Sequence, residues 1–110
     1  MIEWARLNEL RSEIGEDDLD DVVQIFLEEA DEVVARIGGG LPESELEAQL
    51  HFLKGSALNL GLCDLSDLCQ EGERQAAQGM GSLVDLTRIA TVYQASQVAF
   101  LGALAKDSAA

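Results

Sequence analysis

The sequence has few of the residues with which proteins bind metals, nucleic acids or membranes. It contains 1 His and 2 Cys, and Cys63 and Cys69 are six residues apart, a spacing that matches no usual zinc site. Lys and Arg number 7 against 21 Asp and Glu, a formal net charge of -14 that repels phosphate backbones and anionic lipids. We therefore expect no metal site, no nucleic-acid binding and no membrane binding.

Long apolar segments and nucleotide-binding motifs are also absent. No segment has the length of a membrane span, and the N-terminal stretch MIEWARLNELRSEI lacks the apolar core of a signal peptide. No Walker-type or glycine-rich phosphate loop is present, which excludes an ATP-using kinase. We expect a free-standing cytoplasmic monomer in which both cysteines are free thiols.

The sequence does have helical periodicity, interrupted by glycines and by a single proline. Apolar residues recur at spacings of three and four, and Gly38-Gly39-Gly40 and Gly61 follow two of these periods as stop signals. The predicted helices cover residues 3–14, about 17–37 (inward residues Leu19, Val22, Phe26, Ala30, Val33 and Ile37), Pro42 to Leu60, about 65–78, and a last helix capped by Ser82 with Asp85. We predict an all-α fold: an antiparallel up-down four-helix bundle with a short extra N-terminal helix. Residues 1–110 form one domain, in which 1–14 are the N-terminal helix and 105–110 a frayed tail.

The only histidine lies on the third predicted helix, outside its apolar seam. The seam comprises Leu46, Leu50, Leu53, Ala57 and Leu60, whereas His51 shares its face with Lys54, Gly55 and Leu58. A histidine beside a lysine on a helix surface is by itself unremarkable. Gly55 changes the interpretation, because a glycine inside a helix costs about 0.5–1 kcal/mol relative to alanine. An imidazole, an ammonium group and an open approach are what a phosphorylated histidine needs.

The stretch HFLKGSALNLG, residues 51–61, resembles the motif of histidine-containing phosphotransfer (HPt) domains, H-x-x-K-G-[SA]-[SA]-x-x-x-G. The segments EDDLDDVVQIFLEEADEVVARI and DLSDLCQEGERQAAQG resemble the second and fourth helices of that family. The resemblance implies a four-helix bundle with an exposed, phosphorylatable His51. It also implies a phosphorelay carrier that accepts a phosphoryl group from a sensor kinase or its receiver domain and passes it to an aspartate of a response regulator.

The resemblance implies a role for each site residue. His51 would accept the phosphoryl group on Nε2, Lys54 would stabilise its charge, and Gly55 would leave room for the receiver domain. Glu73 matches a position where family members often carry Gln or Glu, and would orient the ring through Nδ1; a solvated surface carboxylate is the alternative. The carrier would need no cofactor of its own, since Mg2+ is expected on the partner receiver domain.

The partner surface is expected around His51. We predict that it includes Gly55, Leu58, Leu62, Leu19 and Val23, because exposed apolar residues beside a reactive group suit protein docking. For the second-helix residues, a place in the core is the alternative. Gly72 departs from the family, which commonly has a large apolar residue there. Either the third and fourth helices approach closely at Gly72, or a neighbour such as Phe52 fills the gap.

Two other functions are compatible with the sequence. A non-catalytic interaction module would bind a receiver or kinase domain without carrying phosphate. The dimeric histidine-bearing domain of a sensor kinase is the other alternative. It is disfavoured because Phe52, and not an acidic residue, follows the histidine and because no ATPase domain follows.

Overall fold

Five α-helices account for nearly all of the described part of the chain. The structure is a computed structural model, and it describes the backbone of residues 2–109 and the side chains of residues 2–105. The helices are α1 (Trp4–Ile14), α2 (Glu16–Gly38), α3 (Glu43–Leu60), α4 (Cys63–Ala77) and α5 (Leu86–Ala109), with a 3₁₀ turn at Gly81–Leu83 between the last two. Helices α2 to α5 form the predicted up-down four-helix bundle, and α1 is the extra N-terminal helix. In the described part of the chain, β-structure is limited to one isolated bridge between Ile2 and Leu62.

The bundle is held together by one continuous apolar core. Helices α3 and α4 make the most extensive contact, and α2 and α5 close the bundle on the other side. The predicted α3 seam is confirmed, since Leu46, Leu50, Leu53, Ala57 and Leu60 are all buried. Phe100 is the largest side chain among those fully buried. A buried aromatic ring of this size contributes on the order of 3 kcal/mol relative to an exposed one.

Helix α1 is fastened to the turn between α3 and α4. The Glu3 amide donates to the Gly61 carbonyl oxygen at 2.9 Å, and Arg6 Nε donates to the Asn59 carbonyl oxygen at 2.8 Å. Gly61 is left-handed (φ 74°), and a Cβ there would lie 3.1 Å from both the Glu3 carbonyl oxygen and Arg6 Cβ. The position therefore needs glycine for its backbone conformation and for the close approach of α1.

The helix limits agree with the sequence to within about two residues, but one cap does not. Ser82 lies inside the 3₁₀ turn, so the predicted capping box with Ser82 as its first residue is wrong. Asp85 is the residue that caps α5: its Oδ1 accepts a hydrogen bond from the Arg88 amide at 3.0 Å. The turn occupies the residues that the capping box would have used, so the helix begins three residues later.

The buried stripe of α2 differs from the predicted one only in its middle turns, since Leu19, Ala30, Val33 and Ile37 are buried as predicted. Val23 and Leu27 are buried, and Val22 and Phe26 are only half-buried. Contacts with α5 accompany this local difference. The Tyr93 hydroxyl donates to Asp31 Oδ1 at 2.5 Å and lies 3.2 Å from the Leu27 carbonyl oxygen. Burial and the Asp31 carboxylate raise the pKa of Tyr93, so this hydroxyl stays protonated.

The C-terminal segment is more helical than predicted. Helix α5 continues to Ala109, so its backbone covers most of the tail 105–110 that was expected to fray. Ala110 lies outside the described residues. No helix in the described part of the chain is long and apolar enough to cross a membrane.

Candidate functional site

Helices α3 and α4 bring three polar side chains together on the bundle surface. The α3 seam points inward, which turns His51 outward and leaves 68% of its side chain exposed. Lys54 follows one turn later on the same helix, and Glu73 approaches both from α4. The side chains of Lys54 and Glu73 are about four-fifths covered, with 22% and 19% exposed.

The Glu73 carboxylate links the imidazole to the ammonium group. Its Oε1 lies 2.7 Å from His51 Nδ1, and its Oε2 lies 2.8 Å from Lys54 Nζ. An ionised carboxylate only accepts hydrogen bonds, so Nδ1 carries the ring proton and donates it. In the neutral ring, Nε2 therefore holds the lone pair. The arrangement fixes both the tautomer and the orientation of a largely exposed imidazole.

The electrostatics keep Glu73 ionised. The hydrogen bond from Lys54 has the largest effect and lowers the pKa of Glu73; burial opposes it, and the hydrogen bond from His51 lowers the pKa further. A carboxylate that stays charged near neutral pH can offset positive charge on the ring. The negative charge of Glu73 is thus present beside the ring near neutral pH.

Cys69 lies beneath this site and is chemically quiet. Its side chain is fully buried, and burial together with the Glu73 charge raises the pKa of the thiol to about 12, against a small opposing effect of Lys54. The thiolate is the reactive form of cysteine, so Cys69 is not a competing nucleophile. Neither described cysteine is in a disulfide, as the sequence predicted.

Gly72 marks the close approach of α4 to the rest of the core. A Cβ at this position would lie 3.0 Å from Leu50 Cδ1 and 3.0 Å from Val84 Cγ1. The space that a larger residue would need is therefore already occupied. Of the two explanations offered above, close approach fits, and filling by Phe52 does not, because Phe52 is 46% exposed.

The surroundings of His51 combine open backbone with exposed apolar side chains. A Cβ added at Gly55 would meet nothing within 4 Å, so packing inside the chain does not require this glycine. Leu58 is 57% exposed, as predicted for a docking residue. Phe52 is a further exposed apolar residue on this helix, and its exposure was not predicted from the sequence.

Three of the predicted partner-binding residues are not accessible. Leu19, Val23 and Leu62 are each exposed by 2% or less, so the prediction that they form a docking surface is wrong. Leu19 and Val23 lie on the buried stripe of α2. Leu62 follows the left-handed Gly61, and its amide donates to the Ala57 carbonyl oxygen at 2.8 Å. This helix-ending turn takes Leu62 out of the α3 register and directs it into the core.

Two shallow grooves flank the Glu73 carboxylate. One is lined by Ser44, Glu47, Ala48, His51 and Glu73, and the other by Glu47, Lys54, Gln70, Glu73, Arg74 and Ala77. Glu47 is common to both and was not among the residues predicted from the sequence. Its position one turn before His51 was the available signal. In the described residues, no group of three or more His, Cys, Asp or Glu is placed to hold a metal ion.

Comparison with known families decides the classification. The family described as Hpt domain matches residues 21–99, more than two thirds of the chain and including all three side chains of the site. The chain belongs to the Hpt domain family. Hpt domains take part in phosphorelays of two-component signalling, where they interact with receiver domains. Neither the curated proteins nor the solved structures gave a match to this Hpt domain.

Proposed function

We propose that this Hpt domain is a phosphorelay carrier that holds the phosphoryl group on Nε2 of His51. The observation that carries the proposal is the hydrogen bond between His51 Nδ1 and Glu73 Oε1 at 2.7 Å on a ring that is 68% exposed. A neutral imidazole with a fixed tautomer and an accessible second nitrogen is a competent nucleophile near pH 7.

The transfer is balanced without any proton leaving the site. The Nε2 lone pair attacks the phosphorus of an aspartyl phosphate, the P–N bond forms, and the P–O bond breaks to leave the donor carboxylate. The ring keeps its Nδ1 proton and becomes positively charged, and Glu73 offsets that charge. In the reverse step an aspartate oxygen of the acceptor attacks, and the electron pair of the P–N bond returns to Nε2.

Lys54 and Gly55 complete the carrier. The Lys54 ammonium pairs with Glu73 Oε2 in the free protein, and we assign it a phosphoryl oxygen as its partner once His51 is phosphorylated. Gly55 leaves the α3 backbone open beside the ring, so a partner can come close to the phosphoryl group. The exposed Leu58 provides apolar contact area at the same face.

The partners are receiver domains, one on a hybrid histidine kinase and one on a response regulator. The Mg2+ that phosphoryl transfer requires belongs to the acidic pocket of the receiver, and the carrier supplies a positioned nucleophile, charge compensation and docking. We place the reaction in the cytoplasm, in agreement with two free cysteines, and expect the carrier to act as a monomer.

The test uses a small phosphoryl donor and needs no cognate partner. The protein is incubated with phosphoramidate, and its intact mass is compared with that of a His51→Gln variant. A receiver domain with Mg2+ is then added to the phosphorylated protein. One acid-labile adduct that is absent from the variant and lost to the receiver supports the carrier. A protein that stays unmodified, beside a known Hpt domain that reacts, contradicts it and favours a module that only binds; such binding would survive His51→Gln.

A further inference from the structure

Glu47 places a second negative charge beside the reactive ring. It lies on α3 four residues before His51, on the same helix face, and it lines both grooves that flank Glu73. Its side chain is exposed, and no cation whose side chain is described lies within ion-pair distance of it. Its charge is therefore not cancelled by a partner within the described chain.

The positive charges near His51 do not outnumber the negative ones. Lys54 is paired with Glu73, and Arg74 in the second groove is held by both carboxylate oxygens of Glu71 at 2.5 and 2.6 Å. Once these two pairs are set aside, Glu47 is the carboxylate lining the two grooves that has no ion-pair partner among the described residues. The positive ring and Lys54 favour a phosphoryl group on Nε2, and Glu47 adds one uncancelled negative charge that opposes them.

We propose that Glu47 biases this site towards donating its phosphoryl group, by repelling the phosphoryl oxygens on His51. The inference rests on the proposed function. Repulsion acts on the phosphohistidine, whose phosphoryl group carries about two negative charges, and is relieved when the P–N bond breaks and the P–O bond to the acceptor aspartate forms. The bias therefore favours phosphate flow from His51 to the receiver.

The expected size follows from charge pairs on helices. Two like single charges four residues apart on a helix repel each other enough to change a conformational equilibrium constant up to about twofold. A phosphoryl group with two negative charges about doubles this repulsion energy. Removing the Glu47 charge should therefore raise the equilibrium ratio of phosphohistidine to phosphoaspartate about two- to fivefold. Salt screens charges on an exposed surface, so the effect should shrink at 1 M salt, where the screening length is about 3 Å.

The experiment compares Glu47→Gln with Glu45→Gln as its matched control. Both residues are exposed carboxylates near the start of α3, but Glu45 lines neither groove. Each protein is phosphorylated with phosphoramidate and equilibrated with one receiver domain and Mg2+. Phosphohistidine and phosphoaspartate are then quantified at low and high salt. The expected result is a two- to fivefold rise for Glu47→Gln at low salt, a smaller rise at 1 M salt and no rise for Glu45→Gln.

The outcomes separate this inference from the function on which it rests. If the unaltered protein is never phosphorylated, the carrier function fails and the inference fails with it. If it is phosphorylated and transfers the phosphoryl group, but both variants give the same ratio, the function stands and the role of Glu47 is overturned. A Glu47→Gln effect that persists undiminished at 1 M salt also overturns it, because a change in local packing and not in charge would then be responsible.

Discussion

Replacing Gly55 with alanine should make the protein more stable and a poorer relay partner. Gly55 lies inside α3, and an added Cβ would meet nothing within 4 Å, so no clash opposes the substitution. Alanine is favoured over glycine in a helix interior by about 0.5–1 kcal/mol, and the free energy of unfolding should rise by that amount. For a domain of this size, the gain corresponds to an increase in Tm of about 2–6 °C.

The same methyl group should slow transfer to a receiver domain. It projects from the α3 backbone one turn beyond His51, where the partner must approach. A displacement of ~1 Å between reacting groups can cost on the order of 100-fold in rate, and we expect a loss of about tenfold. The rate at which phosphoramidate phosphorylates His51, which needs no docking, should be unchanged.

Gly102→Ala is the matched control for this prediction. Gly102 also lies inside a helix, α5, and a Cβ there would also meet nothing within 4 Å. Both variants are measured by urea unfolding, by phosphoramidate charging and by stopped-flow transfer to one receiver domain. Equal stabilisation with a transfer defect in Gly55→Ala alone is the expected result. A destabilised Gly55→Ala, or transfer rates that match Gly102→Ala, would refute the reasoning that this glycine serves docking.

Three further predictions concern the residues around the site. The lowered pKa of Glu73 means that its bonds stabilise the fold above the ordinary carboxyl value of 4.5 and that this contribution is lost as the pH falls through the folded pKa. The difference in unfolding free energy between the protein and Glu73→Gln, measured by urea unfolding from pH 7 to pH 3, should accordingly be constant above about pH 5 and shrink below it. Gly72→Leu should lower the free energy of unfolding by about 1–3 kcal/mol in the same assay, because its side chain would collide with Leu50 and Val84. Cys69 should resist iodoacetamide at pH 8 in the folded protein, with Cys63 modified first in peptide mapping, because burial raises the pKa of Cys69 to about 12.

Each of these predictions has a result that contradicts it. For Glu73, it is a difference from Glu73→Gln that stays the same down to pH 3. For Gly72, it is a leucine variant as stable as the parent. For Cys69, it is alkylation at the rate of Cys63 in a protein that circular dichroism shows to be folded.

The sequence was sufficient for the fold because its signals are local. Gly38-Gly39-Gly40, Pro42 and Gly61 end or begin helices through their own backbone preferences, and the α3 seam follows from spacing alone. The burial of Val23 and Leu27 in the middle of α2, in place of Val22 and Phe26, could not be obtained in this way. A shift of one residue along a helix depends on what packs against it, here the hydrogen bonds of Tyr93 from α5.

The candidate site was only partly predictable. Spacing placed His51, Lys54 and Gly55 on one face, but nothing in the residues alone brings Glu73 from another helix to within 2.7 Å of the ring; the family resemblance supplied that expectation. The partner surface was the least accurate prediction. The prediction continued the α3 face as far as Leu62, although Gly61 ends the helix before that residue. An apolar residue next to a reactive group is as often core as surface, and only packing distinguishes the two.

The central claim is that Glu73 holds His51 so that Nε2 is the atom that receives the phosphoryl group. The most direct measurement is NMR of the protein labelled with 15N at histidine and phosphorylated with phosphoramidate. Coupling between 31P and 15N identifies the nitrogen that is bonded to phosphorus. We expect coupling to Nε2 of His51, with Nδ1 still protonated. Phosphorus on Nδ1, or an adduct on any residue other than His51, would contradict it.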